Sequence, residues 1–308
     1  MKKINLVTLF LLALFISSTS YSQIKIKYKI GNEIVTNIDI LNEKNYLIFL
    51  RPELVKLSKK ELMNISENSL IREIIKKREL NKIFGNINKL ELEEEIKTNL
   101  FKYKNVKNKD ELITLMNKHN IKYKNVINKI KYEGLWNELI FKKYGSLVNI
   151  NKEKLRKNLI KKISSTKKYE YRLSEILFEV NENETFKQKY NEILKYAKIN
   201  DFKSAATKYS ISNSSNKGGQ IGWIKETMLS EELIEKLERT KIGQITDPTK
   251  YPNGYLILMI NEKKEMKQII NIEEELKDIV QFEKNKQLNQ FSLLFFKKLK
   301  QNTTINEY

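Results

Sequence analysis

Cysteine is absent from the 308 residues, and histidine occurs once, at His119. Without cysteine there are no disulfides, no thiolate metal sites and no lipid-modified N-terminal Cys, so stability has to come from packed cores. A lone histidine cannot build a His-based metal cluster. It reads as an exposed helix residue in "LMNKHNIKY". Proline appears three times and glycine nine times, so helix breakers are few. Yet Gly218, Gly219 and Gly222 fall within five positions, in "NKGGQIGWIKETML". Long apolar runs are missing except at the start. There Lys2 and Lys3 precede Leu6–Ile16, apolar but for Thr8, and then Ser20-Tyr21-Ser22. That run is too short for a bilayer core, which needs about 20 residues. It predicts a cleaved signal peptide over residues 1–22 and an exported, periplasmic product with no stable membrane insertion.

The formal net charge of +20 raises a nucleic-acid reading, but the pattern argues against one. Lysines alternate with Glu and Ile along the chain, and the export signal directs the protein away from intracellular DNA and RNA. The densest basic run, residues 152–172, holds nine Lys/Arg against two Glu. It reads as a solvated surface able to attract acidic partners. No nucleic acid is expected as a partner.

After residue 22 the chain opens with "IKIKYKIGNEIVTNIDI", an alternating pattern that predicts a hairpin turning at "GNE", followed by a helix capped by Asp39. Helical periodicity follows, with Leu70, Ile71, Ile74, Ile75 and Leu80 on one face and Gly85 as a C-cap. Further helices are predicted in "NKLELEEEIKTNLFKY", "NKDELITLMNKHN" and the segment ending at Gly145. Residues 169–263 read as strand, helix, helix, strand, helix, strand, strand, with Asp201 as an N-cap and a turn at Pro252-Asn253-Gly254. A long amphipathic helix closes the chain. Its Leu276, Ile279, Val280, Phe282, Leu288, Phe291, Leu294, Phe295 and Leu299 have to bury against something, and the N-terminal helices are the expected partner.

The stretch from "LSEILFEV" through "DFKSAATKYSISNSSNKGGQIGWIKETML" to "YPNGYLILMI" resembles a parvulin-type peptidyl-prolyl isomerase domain. A hairpin, several helices, one such unit and a final long helix together resemble the SurA-type periplasmic chaperones. The expected fold class is therefore α+β. The expected division is 1–22 signal peptide, 23–165 helical chaperone domain, 169–263 parvulin-like domain, and 266–308 a C-terminal helix packing on the N-terminal domain. A Gly-rich phosphate cradle is the rival reading of the glycines, but no Lys-Ser/Thr pair follows them.

The resemblance implies an apolar pocket that grips a proline ring, beside a hydrogen-bonded network of two histidines and a Cys, Asp or Ser. Here the histidine positions hold Glu175 and Leu256, and the third falls at Ser212. The polar network is expected to be dismantled, although Glu175 reads equally as a charge beside the pocket or a solvated strand end. Met228, Leu229 and Leu233 match pocket-lining positions, with Trp223 and Tyr255 expected to flank them; Leu229 and Leu233 read equally as plain core. No metal or cofactor is implied. The resemblance points to an ATP-independent chaperone for unfolded outer-membrane β-barrel proteins and exported polypeptides, with weak or absent isomerase activity. An active isomerase and a secreted scaffold docking one fixed partner are the alternatives.

Overall fold

In the computed structural model, residues 23–84, 90–163, 168–181, 183–266 and 271–308 are described. The expected signal peptide and Gly85 lie outside them. The described residues form an α+β protein. The hairpin is β1 (Ile26–Ile30) and β2 (Glu33–Thr36). The first helix, α1 (Asn37–Leu50), starts earlier than Asp39. Thr36 is the N-cap, and Asp39 reaches back to the Thr36 backbone from the third helical position. Pro52 opens a short 3₁₀ turn. Then come α2 (Lys59–Phe84), α3 (Leu90–Lys104), α4 (Lys109–Asn117), α5 (Tyr123–Tyr144) and α6 (Lys152–Ile163). His119 lies in the turn after α4, half-buried and edge-on to Phe49, rather than exposed on a helix.

The second unit holds β3 (Tyr169–Phe178), α7 (Phe186–Ile199), α8 (Phe202–Tyr209), β4 (Gln220–Lys225), α9 (Glu231–Arg239), β5 (Thr249–Tyr251) and β6 (Gly254–Glu265). Its four strands are antiparallel in the order β4-β3-β6-β5. Asp201 caps α8, as expected, by accepting from the Ser204 amide at 2.6 Å. The long α10 (Ile272–Gln301) follows, and β7 (Ile305–Glu307) then pairs with β1, closing a three-stranded sheet.

Side chains alternate across β3 and β6, so the sheet buries two faces. Ile176, Phe178 and Ile257 join α7 and α8 in a core that also contains Leu47, Leu54, Leu57, Leu62 and Ile65 of the N-terminal helices. Leu173, Leu177, Leu256 and Leu258 form the opposite core, with Leu237 of α9 and with Phe282 and Leu293 of α10 packed against it. Elsewhere α10 stacks Phe295 on Trp136 of α5 at 5.5 Å, and the Trp136 indole N–H donates to Ser292 Oγ at 2.8 Å.

The helical body buries an ionic cluster. Lys129 Nζ sits 2.6 Å from Glu43 and also bonds Glu73, while Ser69 Oγ donates to Glu43 at 2.7 Å. Glu43 is 2% exposed. Burial holds the Glu73 carboxyl above the usual range; Lys129 opposes that shift and Glu43 adds to it.

The glycine cluster turns the chain sharply into β4. Gly219 (φ +79°) donates to the Ser214 carbonyl, and its own carbonyl accepts from the Glu175 amide at 2.7 Å. A Cβ at Gly219 would lie 2.4 Å from the Glu175 carbonyl and 2.8 Å from Ala206 Cβ. Gly222 (φ +86°) has open space around it.

Lys129→Met leaves the buried Glu43 and the half-buried Glu73 carboxylates without their hydrogen-bonded cation, so a loss of about 3 kcal/mol is expected near neutral pH. A carboxyl whose folded pKa is raised destabilises above its unfolded pKa, so part of that loss should return as the pH falls toward about 5. Urea unfolding at both pH values measures this. In the same assay Gly222→Ala should cost about 1–2 kcal/mol, the left-handed backbone penalty. Gly219→Ala should cost more, because its methyl also meets backbone.

Candidate functional site

Cross-strand partners share a sheet face, and the register pairs Glu175 with Leu258 and Leu177 with Leu256. The Glu175 carboxylate therefore lies on the same face as the apolar cluster of Leu177, Leu256 and Leu258. The short 3₁₀ turn Asn213–Lys217, pinned by Gly219 against β3, brings two hydroxyls to it. Ser212 Oγ donates to Glu175 Oε1 at 2.5 Å and Ser214 Oγ donates to the same oxygen at 2.8 Å. The polar network is thus rebuilt around a carboxylate instead of dismantled. Ser214 has no match in the expected set; its spacing of two from Ser212 in "SISNSS" was the available signal.

Arginines of the helical body hold this turn in place. The Arg51 guanidinium, 4% exposed, donates to Thr207 Oγ1 and to the Ser215 carbonyl, and Arg72 Nη1 donates to Ser215 Oγ at 3.0 Å. Burial pulls Arg51 down to about 10.

Leu256 is 6% exposed. Leu229 belongs to the same cluster, with Met228 and Leu233 packed on it, so these four sequence-derived residues meet in one apolar cluster, the candidate groove. Trp223 and Tyr255 do not flank it. Trp223 is 40% exposed, with Lys264 Nζ 4.3 Å above its ring. Tyr255 packs against Phe186 at 4.4 Å, with the core on the other face of the sheet. The alternation of strand side chains separates them: Tyr255 pairs with Phe178 and Leu256 with Leu177. Tyr251, absent from the expected set, does pack on the groove. Its phenol is pushed up to about 12 by burial first, then by the Glu175 and Glu283 charges.

One face of α10 runs along this groove. Lys225 Nζ contacts Glu275 at 2.7 Å and Asp278 at 2.9 Å, and Thr227 Oγ1 donates to Glu275. Met228 also packs on a cluster formed by Leu159 of α6 with Leu276 and Ile279 of α10. Phe282 and Leu293 cover the apolar cluster. Lys286 Nζ lies 6.0 Å from the Tyr251 ring centre, and Lys297 pairs with Glu179 at 2.8 Å. Positions 275, 282, 286, 293 and 297 are spaced to fall on one side of a helix. The expectation that α10 serves only the N-terminal helices is therefore too narrow, and Leu294, expected inside, is largely exposed. Among the described residues no group of three metal-ligating side chains occurs, and no helix is long and apolar enough to cross a membrane.

Residues 175–262 match the rotamase family, described as the PPIC-type PPIASE domain. A SurA chaperone from Pseudomonas putida is 36% identical over 64 residues, 21% of this chain and 15% of its own length. A PrsA foldase from Geobacillus kaustophilus is 32% identical over 90 residues, 29% of this chain and 31% of its own. The chain thus spans less than a third of the length of these curated relatives. A solved structure of SurA-like chaperones from Campylobacter jejuni is 14% identical and covers 92% of this chain and 98% of that one, at a TM-score of 0.39. The glycine turn, β4, β5, most of β6, and Glu175, Ser212, Met228, Leu229, Leu233 and Leu256 fall on the matched segment, and residues 175–262 of the chain are similar to the PPIC-type parvulin domains of SurA and PrsA proteins.

Proposed function

We propose that this protein is an exported, ATP-independent folding helper that holds unfolded polypeptides, outer-membrane β-barrel precursors first among them, with weak or absent isomerase activity. An X-Pro bond turns over a barrier of about 18–20 kcal/mol. Catalysis requires the twisted amide to be bound better than either planar form. The observation that carries the reading is the state of the groove. Glu175 and Leu256 occupy the positions where the parvulin resemblance implies histidines, and Phe282 and Leu293 of α10 cover the apolar floor. A buried leucine offers no hydrogen bond. A carboxylate already accepting from Ser212 and Ser214 has no proton to donate to a reacting amide.

The likeness to SurA and PrsA proteins over the domain supports the folding-helper part, and the leader-like composition of residues 1–22 supports export. The chaperone division, with residues 23–165 and 266–308 as one helical body, fits the packing of Phe295 on Trp136. One observation favours the rival enzyme: the Glu175–Ser212–Ser214 network is intact and faces the groove. If its hydroxyls supported a twisted amide, preorganised groups of this kind would be worth about 10²–10³-fold each.

The full chain should suppress aggregation of a denatured β-barrel protein without ATP, read by light scattering. Short X-Pro peptides should isomerise within about twofold of the unaided rate, which takes tens to hundreds of seconds. A rate matching that of a histidine-bearing parvulin would give the enzyme reading first place. Capture of one folded partner and no unfolded chain would favour the scaffold.

A further inference from the structure

A concavity adjoins the apolar cluster of the candidate groove, sharing Ile211 and Leu293 with it, where the parvulin-like segment meets the helical body. It measures about 1030 Å³ and is bounded by Arg72 and Lys76 of α2, by Glu179, Val180, Asn181 and Asn183 after β3, by the Pro252–Gly254 turn, and by the last turns of α10. That is at or above the upper end of small-molecule pockets. Its apolar lining is Val180, Ile211, Tyr255, Leu293, Leu294 and Phe296.

The charge lining it is one-sided. Among the described residues that line it, Arg72, Lys76, Lys297 and Lys300 stand with one carboxylate, Glu179, which Lys297 already engages at 2.8 Å. Lys76 is held by Glu133 at 2.9 Å. Arg72 donates to Ser215 Oγ and makes no ion pair among the described residues, and neither does Lys300. Burial pulls the Arg72 guanidinium below its ordinary range, with only the Glu133 charge opposing. An additional anion in the cleft would stabilise its charged form. Four side-chain amides, of Asn181, Asn183, Asn213 and Asn253, also line the space. The Asn253 Nδ2 is buried with no hydrogen-bond partner. Side-chain amides both donate and accept, as the backbone of an extended peptide requires.

We infer that this cleft binds an extended segment of an unfolded polypeptide in which an aromatic or large aliphatic side chain neighbours Asp or Glu. The apolar side chain would sit on Tyr255 and Phe296, the carboxylate would face Lys297, Lys300 and Arg72, and the asparagine amides would hold the backbone. This rests on the folding-helper reading and names the class of segment it selects.

The test uses the full chain and two fluorescein-labelled peptides, one of alternating Phe and Asp, the other of alternating Phe and Lys. Fluorescence anisotropy should show the acidic peptide binding at least about tenfold more tightly, with the difference shrinking as salt rises. Lys297→Glu with Lys300→Glu should reverse the order of the two peptides. Both side chains are exposed on α10, so the melting temperature should stay near that of the parent; Arg72 and Lys76 are left intact because Arg72 holds the Ser215 hydroxyl and Lys76 is buried against Glu133. Equal affinity for the two peptides, or an unchanged preference in the double variant while aggregation suppression persists, overturns the cleft inference alone. Discrimination between the peptides in a protein that fails to suppress aggregation overturns the folding-helper reading instead.

Discussion

The structure depends on one sheet being buried on both faces. An antiparallel sheet can leave one face in water, yet here Ile176, Phe178 and Ile257 share a core with Leu54 and Leu62 of the helical body, while Leu177, Leu256 and Leu258 are covered by α9 and α10. The consequence is mechanical. The parvulin domain is clamped between the first helices and the last one, and the face that would hold a proline ring is the face under α10. At about 25 cal/mol per Å² of apolar surface, lifting a helix that buries Phe282 and Leu293 is costly unless a client replaces those contacts.

The clamp also places the polar groups. Arg51 and Arg72 reach from the helical body to the turn that carries Ser212 and Ser214, and Gly219 holds that turn against β3 so that both hydroxyls meet Glu175. The glycines of the "NKGGQIGW" segment therefore shape a site without doing chemistry in it. The same meeting of two bodies leaves the basic cleft open between Tyr255 and Leu293. A groove closed by the chain's own helix and an open cleft lined with cations fit a protein that holds chains better than it twists them.

Local signals in the sequence located most elements, because caps and periodicity act within a few residues. Asp201 before α8, the turn at Asn253-Gly254 and the alternation through Ile24–Ile30 are of this kind. The capping box moved the N-cap of α1 from Asp39 to Thr36, since both are competent caps and only the backbone decides between them. What was illegible was tertiary. The apolar residues of α10 wrap around more than one side of the helix, so no single stripe announced that Phe282 and Leu293 turn to the groove while Phe295 turns to Trp136. Trp223 and Tyr255 were misplaced for a related reason. On strands of period two, neighbours in sequence go to opposite faces, and the irregularity at Leu173/Ser174 is invisible without the partner strand. The Ser214 hydroxyl was legible in spacing alone, and its role only in three dimensions.

The most direct measurement is native-state hydrogen exchange across β6 and α10 in increasing urea. If α10 is part of the clamp, amides from Phe282 to Leu293 should open only together with those of Leu256–Ile260, converging on one free energy. Exchange of the α10 amides through a low-energy opening that leaves β6 protected would contradict the account, because the groove would then stand open at little cost.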